Sequence, residues 1–572
     1  MRRGPAIVLL FCLLFGAAYG AYRAGQEGLD RLAHFAPSHL AAESTTAGST
    51  PLTNRVLFII VDGLRFEEVH LLPSLEWLRG QGASFQLLAD GASSPTLADT
   101  TLLTGAPATL NGLFWPDSNP VLQADHFLRS AQRNKITTGG AGSPELGHLI
   151  AGTIATWYEG RSMEELQGGI SALLKPDGPR LVFCQVPDLL ARIRLTRAAD
   201  PANADYRDAL AAMDADLVRI LDLVDWKTTT VVVTGNLPLD RNGDFAAQGS
   251  IPLIMAGTAV RPGLRSNGTL LDVAPTVSAL LGLPAPLQAQ GRPLLDGLQV
   301  EGRPADAIMQ SYLGVRRTFT DLALQAYGSA ATAPEPPAST VDADAYLTKL
   351  SSAVTDAESQ WRRDAIMQWL PYVGPGLLLL LIYLVIVWRQ PFGRAALLSA
   401  IVYGIAFQVF FFLSGGRYSN ALHGLDSPLP DLRLRLGLVA GAAMGLTAIV
   451  TGLLLSRREF KRPSYLTTSA LHINLSLAAL VSIPAGGAAL LVGWEFPVAL
   501  PATGLWVWFF TSVLQVLVIG GASPVWSLLT VQSARLGQYL WPLPEVGDPE
   551  ANADKVVRLR AIKRSRNHSA RG

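Results

Sequence analysis

Val56-Leu-Phe-Ile-Ile-Val-Asp62-Gly63-Leu64-Arg65 is the stretch that decides the fold. Six consecutive apolar residues, rich in Val and Ile, form the pattern of a strand buried on both faces. Asp62 follows at once, and then a glycine. This puts a carboxylate at the carboxyl end of a strand, where ligands collect in open α/β sheets. An aspartate there also suits the cap of a following helix. The Asp-Gly-Leu-Arg string as a whole favours the ligand role.

Similar strand-like runs lie at residues 180–186, 229–234 and 251–255. Each is short, apolar and β-branched, as expected of buried parallel strands. Helical patterns separate them, notably at 204–224 and 272–281. The alternation predicts an α/β sandwich over residues 55–328, with a mostly parallel central sheet and helices on both faces.

Composition shows what surrounds this domain. The chain has 572 residues, 49% of them hydrophobic and 16% charged, and a mean hydropathy of +0.28. The charged share falls below the roughly one quarter of ordinary soluble domains. Apolar weight gathers at the start and after Trp369. Residues 1–22, led by Arg2-Arg3, read as an uncleaved signal anchor, although the Gly-Ala-Ala-Tyr-Gly-Ala stretch offers small residues for cleavage. A Ser/Thr/Ala-rich linker covers 23–54. A Pro/Ala-rich linker and a membrane-proximal amphipathic helix fill 329–368. A membrane domain of about five helices occupies 369–540, with expected spans at 370–388, 395–413, 436–455, 466–492 and 500–521. Residues 524–539 are left as re-entrant or interfacial. A basic tail takes 541–572. The positive clusters at 389–394, 456–462 and the tail fall on the same side as Arg2-Arg3. That predicts a multi-pass plasma-membrane protein with both termini cytoplasmic and the large domain outside. Membrane lipids are then the expected surroundings. The net charge of +1 argues against nucleic acid as a partner. The sequence names no protein partner. Cys12 and Cys184 are too differently placed for a disulfide. His472 and Asn474 lie within a predicted span, where polar residues are either functional or packed against a neighbouring helix.

Two further segments extend the Asp62 motif. One is Ser94-Pro-Thr96-Leu-Ala-Asp-Thr-Thr-Leu-Leu-Thr104-Gly105; the other is Leu271-Asp272-Val-Ala-Pro275-Thr276-Val-Ser-Ala-Leu-Leu-Gly282-Leu-Pro284. Thr96 follows a proline and opens a helical run. There a hydroxyl either helps a helix N-terminus bind phosphate or simply caps it. As an ordered set, the three segments resemble the alkaline phosphatase superfamily, in particular its type I phosphodiesterase and GPI ethanolamine-phosphate transferase branches; the family also includes sulfatase-like members.

The resemblance implies phosphoryl or sulfuryl transfer at two divalent metals, usually zinc, held by Asp and His. It makes Asp62 the first metal ligand and Thr96 the nucleophile. Ser94 is the alternative, because the spacing from Thr96 to Thr104-Gly105 is one residue short of the family pattern. Leu181-Val-Phe-Cys-Gln-Val-Pro187-Asp188 resembles the strand that supplies a second ligand, Asp188. Beyond it the pattern departs. Arg192 stands where the family has histidine. Asn236 and Leu237 stand where Asp and His follow the strand ending at Thr234, and residues 244–250 contain no histidine. Leu cannot ligate, a neutral Asn is a poor zinc ligand, and Arg brings its own positive charge. At most one cation is therefore expected, on Asp62 and Asp188. Asp240-Arg-Asn242-Gly-Asp244 reads as a turn, not a calcium loop. His70, His126 and His148 are the other imidazoles near enough in sequence to substitute. The expectation is a pseudoenzyme acting as a binding or assembly module. The alternatives are a metal-dependent phosphodiesterase or phosphoethanolamine-type transferase acting on a lipid-linked or envelope glycan, and an accessory domain of a transport-type membrane protein.

Overall fold

The computed structural model describes residues 37, 39, 41–90, 95–113, 120–196, 199–237, 239–241, 243, 248–414, 429–456, 463–492, 497–499 and 511–541. The predicted anchor at 1–22, Ser94 and all of the basic tail beyond Trp541 lie outside the described residues.

Eight strands form one sheet: β1 (Arg55–Val61), β2 (Ala83–Asp90), β3 (Thr138–Gly142), β4 (Thr156–Glu159), β5 (Leu181–Val186), β6 (Thr229–Gly235), β7 (Gln248–Gly257) and β8 (Arg265–Thr269). Their order across the sheet is β4-β3-β5-β1-β6-β7-β2-β8. β1 lies between β5 and β6 and is parallel to both. β3 is parallel to β5 and β4. β7, expected to be parallel, instead runs antiparallel to both β6 and β2. A buried apolar run looks the same in either direction, so its composition could not reveal this.

Alternation along β1 divides the core. Val56, Phe58 and Ile60 face one layer, where Phe58 stacks on Phe183 at 5.5 Å. Leu57, Ile59 and Val61 face the other layer, with Leu210, Met213 and Leu217 of the helix Ala204–Leu221. Burying large apolar side chains on both faces is the main drive for this sheet. At the start of β1, Arg55 donates to the carbonyls of Lys175 and Gly178, both at 2.9 Å.

The register sets the site. Val61 pairs with Val186 and with Gly235. The next residues, Asp62, Pro187 and Asn236, therefore emerge side by side at the carboxyl edge of three parallel strands.

Beyond the sheet, the helix Arg303–Ala326 packs against the helix Ala343–Trp388. This second helix contains Pro371 and Pro375 and bends by 60° between 371 and 373. Proline removes a donor and crowds the preceding turn, which accounts for the bend. Val498 is buried among Phe319, Leu324, Tyr327 and Ala357, tying a connection of the membrane part to the α/β domain. Among the described residues, the helical segments Gly393–Leu413, Leu434–Ser456 and Tyr465–Pro484 are long and apolar enough to cross a membrane. Counting each of two bent helix pairs as one span gives five. The segment left open in the sequence is the helix Ser523–Leu540. It turns by 61° from Thr511–Gly521 and packs closely on the helix Leu429–Ser456. His472 meets Tyr383 at 3.1 Å and stacks on Phe392, and Asn474 donates to Ser527 at 3.0 Å. Both polar residues thus join helices.

Candidate functional site

Asp62 is 5% exposed and points into a cluster of side-chain amides. Its Oδ1 accepts from Asn236 Nδ2 at 2.8 Å, and its Oδ2 accepts from Gln185 Nε2 at 2.7 Å. Asn236 Nδ2 donates a second time, to Oδ1 of Asp99 at 2.9 Å. Asp99 comes from the helix Pro95–Thr104 and is 3% exposed. Gly63 takes the left-handed turn after the strand (φ 81°), which a side chain would resist. Its backbone N–H donates to Asn236 Oδ1 at 3.3 Å. Arg65 secures the rest of the Asp-Gly-Leu-Arg turn, pairing with buried Glu68 (Nε to Oε1 2.8 Å) and reaching the carbonyl of Ala199.

Two buried carboxylates close together resist ionising together. Burial, and then the charge of Asp99, push Asp62 well above the usual carboxylate range; hydrogen bonds from Gln185 and Asn236 oppose this. Burial pushes Asp99 up to about 7, against the Asn236 hydrogen bond.

Thr96 lies in the first turn of its helix, three residues before Asp99 and half-buried. The helix begins at Pro95, so Thr96 is inside it and not at its cap. Asp188 starts the helix Asp188–Thr196, but its Oδ2 accepts from the backbone N–H of Met163 at 2.7 Å. It thereby satisfies an orphan donor of the helix Met163–Leu173. Arg192 is exposed on the same helix as Asp188. Leu237 is fully buried against Ala98. His126 is fully buried, neither ring nitrogen has a hydrogen-bond partner among the described residues, and burial together with Arg129 and Arg133 pushes it down to about 3. His70 is exposed. Gly243 N–H donates to the Asp240 carbonyl at 3.0 Å, the turn expected there. Asp99 and Gln185 were not singled out in the sequence. Their signal was, for Asp99, the single charged residue of the helix Pro95–Thr104 and, for Gln185, an amide in the otherwise apolar Leu-Val-Phe-Cys-Gln-Val.

No family model matches the chain. One curated relative, a 2,3-bisphosphoglycerate-independent phosphoglycerate mutase from Synechococcus, is 41% identical over 103 residues, 15% of this chain. The chain spans only about a fifth of that relative's length, 19%. Among solved structures, murine ectonucleotide pyrophosphatase/phosphodiesterase 5 is similar at 13% identity and TM-score 0.37, covering 43% of this chain and 100% of its own. A protein of the alkaline phosphatase superfamily from Vibrio parahaemolyticus is similar at 16% identity and TM-score 0.36, covering 49% of this chain and 79% of its own. A phosphonate monoester hydrolase from Silicibacter pomeroyi follows at 14% and 0.32, covering 44% of this chain and 78% of its own.

The metal pair that the sequence resemblance implies does not fit the residues of this α/β domain. Among the described residues, no group of three or more His, Cys, Asp or Glu is placed to hold a metal ion. Two carboxylates converge, and amide donors already engage both oxygens of one and one oxygen of the other. An N–H donor faces the carboxylates where a metal would need open lone pairs.

Proposed function

We propose that this chain is a membrane-anchored pseudoenzyme, whose alkaline-phosphatase-like domain serves as a binding or assembly module outside the plasma membrane. The amide clasp on Asp62 carries this reading. Phosphoryl transfer needs a lowered nucleophile pKa and neutralisation of developing charge. At this edge of the sheet stand instead two neutral amides, a shielded carboxylate pair and the side chain of Leu237. Arg192, the one cation at a family ligand position, is on the surface. In this reading both termini are cytoplasmic and membrane lipids surround the helical part. A lipid-linked or envelope glycan is the kind of molecule the module would hold. The test is to purify the full chain in detergent, supply zinc or manganese, and follow an aryl phosphodiester. Hydrolysis at background level is expected. Metal-dependent turnover would replace this reading with an active phosphodiesterase or transferase.

A further inference from the structure

The carboxamide of Asn236 stands where two facing carboxylates would otherwise call for a cation. Its two N–H bonds are shared between them, with Nδ2 2.8 Å from Asp62 Oδ1 and 2.9 Å from Asp99 Oδ1. The Gly63 N–H, 3.3 Å from Asn236 Oδ1, fixes which way round the amide sits. A flipped amide would set its oxygen against two carboxylates and its NH2 against an N–H. Gln185 is oriented in the same way: its Oε1 accepts from Ser143 N–H at 2.9 Å while its Nε2 reaches Asp62. Leu237 and Ala98, next in sequence to Asn236 and Asp99, are buried against each other. Buried carboxylates need donors or a counter-charge. Here the donors are built in.

We propose that Asn236 is an internal surrogate for a divalent cation, so that replacing this one amide by a carboxylate turns the Asp62–Asp99 pair into an oxygen-liganded divalent-cation site. The substitution would remove both donors and bring a third carboxylate to face the other two. Three convergent carboxylates, with only the Gln185 amide and the Gly63 N–H left as donors at their rim, are what hard cations bind. No imidazole or thiolate joins the cluster, so the matching ion is Mn²⁺, Mg²⁺ or Ca²⁺ and not a soft-liganded zinc. This deepens the inactive-module reading and rests on it only in taking the parent cluster to be metal-free.

The experiment uses the full chain in detergent, with Mn²⁺ as probe, in three forms: the parent, N236D, and D99N/N236D. The double variant exchanges amide and carboxylate and leaves the number of acids unchanged. Melting is followed by intrinsic fluorescence in chelator and in Mn²⁺, and bound manganese is measured after dialysis. N236D is expected to melt several degrees below the parent in chelator, to recover with Mn²⁺, and to retain roughly one ion per chain, because a ligand bound only by the native state stabilises it. The parent and D99N/N236D should show neither response. The inference is overturned if N236D is unmoved by Mn²⁺, if it stays unfolded in Mn²⁺ while D99N/N236D folds like the parent, or if the parent gains as much as N236D. Phosphodiester turnover by the parent would instead defeat the inactive-module reading, so the two failures are distinguishable.

Discussion

Leu237 is buried against Ala98, and the residues directly beside them in sequence, Asn236 and Asp99, hydrogen-bond at 2.9 Å. An apolar contact and a polar one thus share the seam between the end of β6 and the helix Pro95–Thr104. Truncating the apolar partner removes buried methyl groups and leaves space beside the carboxylate pair. L237A should destabilise the α/β domain by about 2–5 kcal/mol. Denaturant unfolding of the full chain measures it. A loss below half a kcal/mol would show that the contact does not hold the seam together.

The raised acids give a pH signature of definite sign. Asp99 is pushed up to about 7 and Asp62 in the same direction, whereas an unfolded aspartate titrates near ~3.9. Their contribution is therefore complete below about pH 4 and is lost as pH rises through about 7. His39 and His126 act in the opposite sense. Burial pushes them down to about 4 and about 3, so their contribution is present above roughly pH 6.5 and fades in acid. The D99N variant isolates the first effect. Relative to the parent it should gain, between pH 4 and 8, on the order of a few kcal/mol. Parallel stability curves for the two proteins would contradict the shifted pair.

The sequence showed the centre of the sheet and missed its margins. β1, β5 and β6 are apolar on both faces, so each declares itself as a buried strand. β3 reads Thr-Gly-Gly-Ala-Gly and carries no such pattern. Its glycines answer to neighbours: a Cβ on Gly140 would lie 2.7 Å from the Phe183 carbonyl and 2.6 Å from Trp157. β8, Arg-Ser-Asn-Gly-Thr, is an exposed edge without hydrophobic alternation. In the site, Asp62 and Asn236 were legible because each ends an apolar strand. Gln185 was not, because its reach to Asp62 depends on the register between β5 and β1. Asp99 depends on how one helix docks over the sheet, and no local spacing encodes that.

Small residues bring two of the apolar helices close together. A Cβ on Gly452 would lie 2.4 Å from the Thr530 carbonyl and 2.6 Å from Ser533 Cβ, and Gly537 similarly abuts Ser456. Close backbone approach of this kind is how membrane helices associate without a hydrophobic drive. G452L must push the helices Leu429–Ser456 and Ser523–Leu540 apart, destabilising the bundle by about 1–3 kcal/mol. Thermal unfolding in detergent reads this directly, and an unchanged melt would mean the two helices do not meet at Gly452.

The charge pattern of the connections predicts the orientation of the whole chain. By that pattern Arg2-Arg3, the clusters at 389–394 and 456–462 and the basic tail are expected on the cytoplasmic side. Protease added to intact spheroplasts should digest the 55–368 region while an epitope on the tail survives. Protection of the α/β domain would reverse the topology.

Thr96 separates the inactive module from an enzyme. It lies in the first turn of the helix Pro95–Thr104, three residues before Asp99. Its carbonyl accepts from the Thr100 hydroxyl at 2.8 Å, a contact that T96A leaves in place. Alanine is also the better helix former, by a few tenths of a kcal/mol. As the residue is inside the helix and not its cap, T96A should change stability by less than about 1 kcal/mol. The parent should release no product from an aryl phosphodiester above background, with or without added zinc, because nothing in the Asp62–Asp99–Asn236 cluster supplies the charge that activates a hydroxyl. T96A should then match the parent in both assays. Metal-dependent turnover in the parent that vanishes in T96A, with the melting curve unchanged, would make Thr96 a nucleophile and overturn the pseudoenzyme reading.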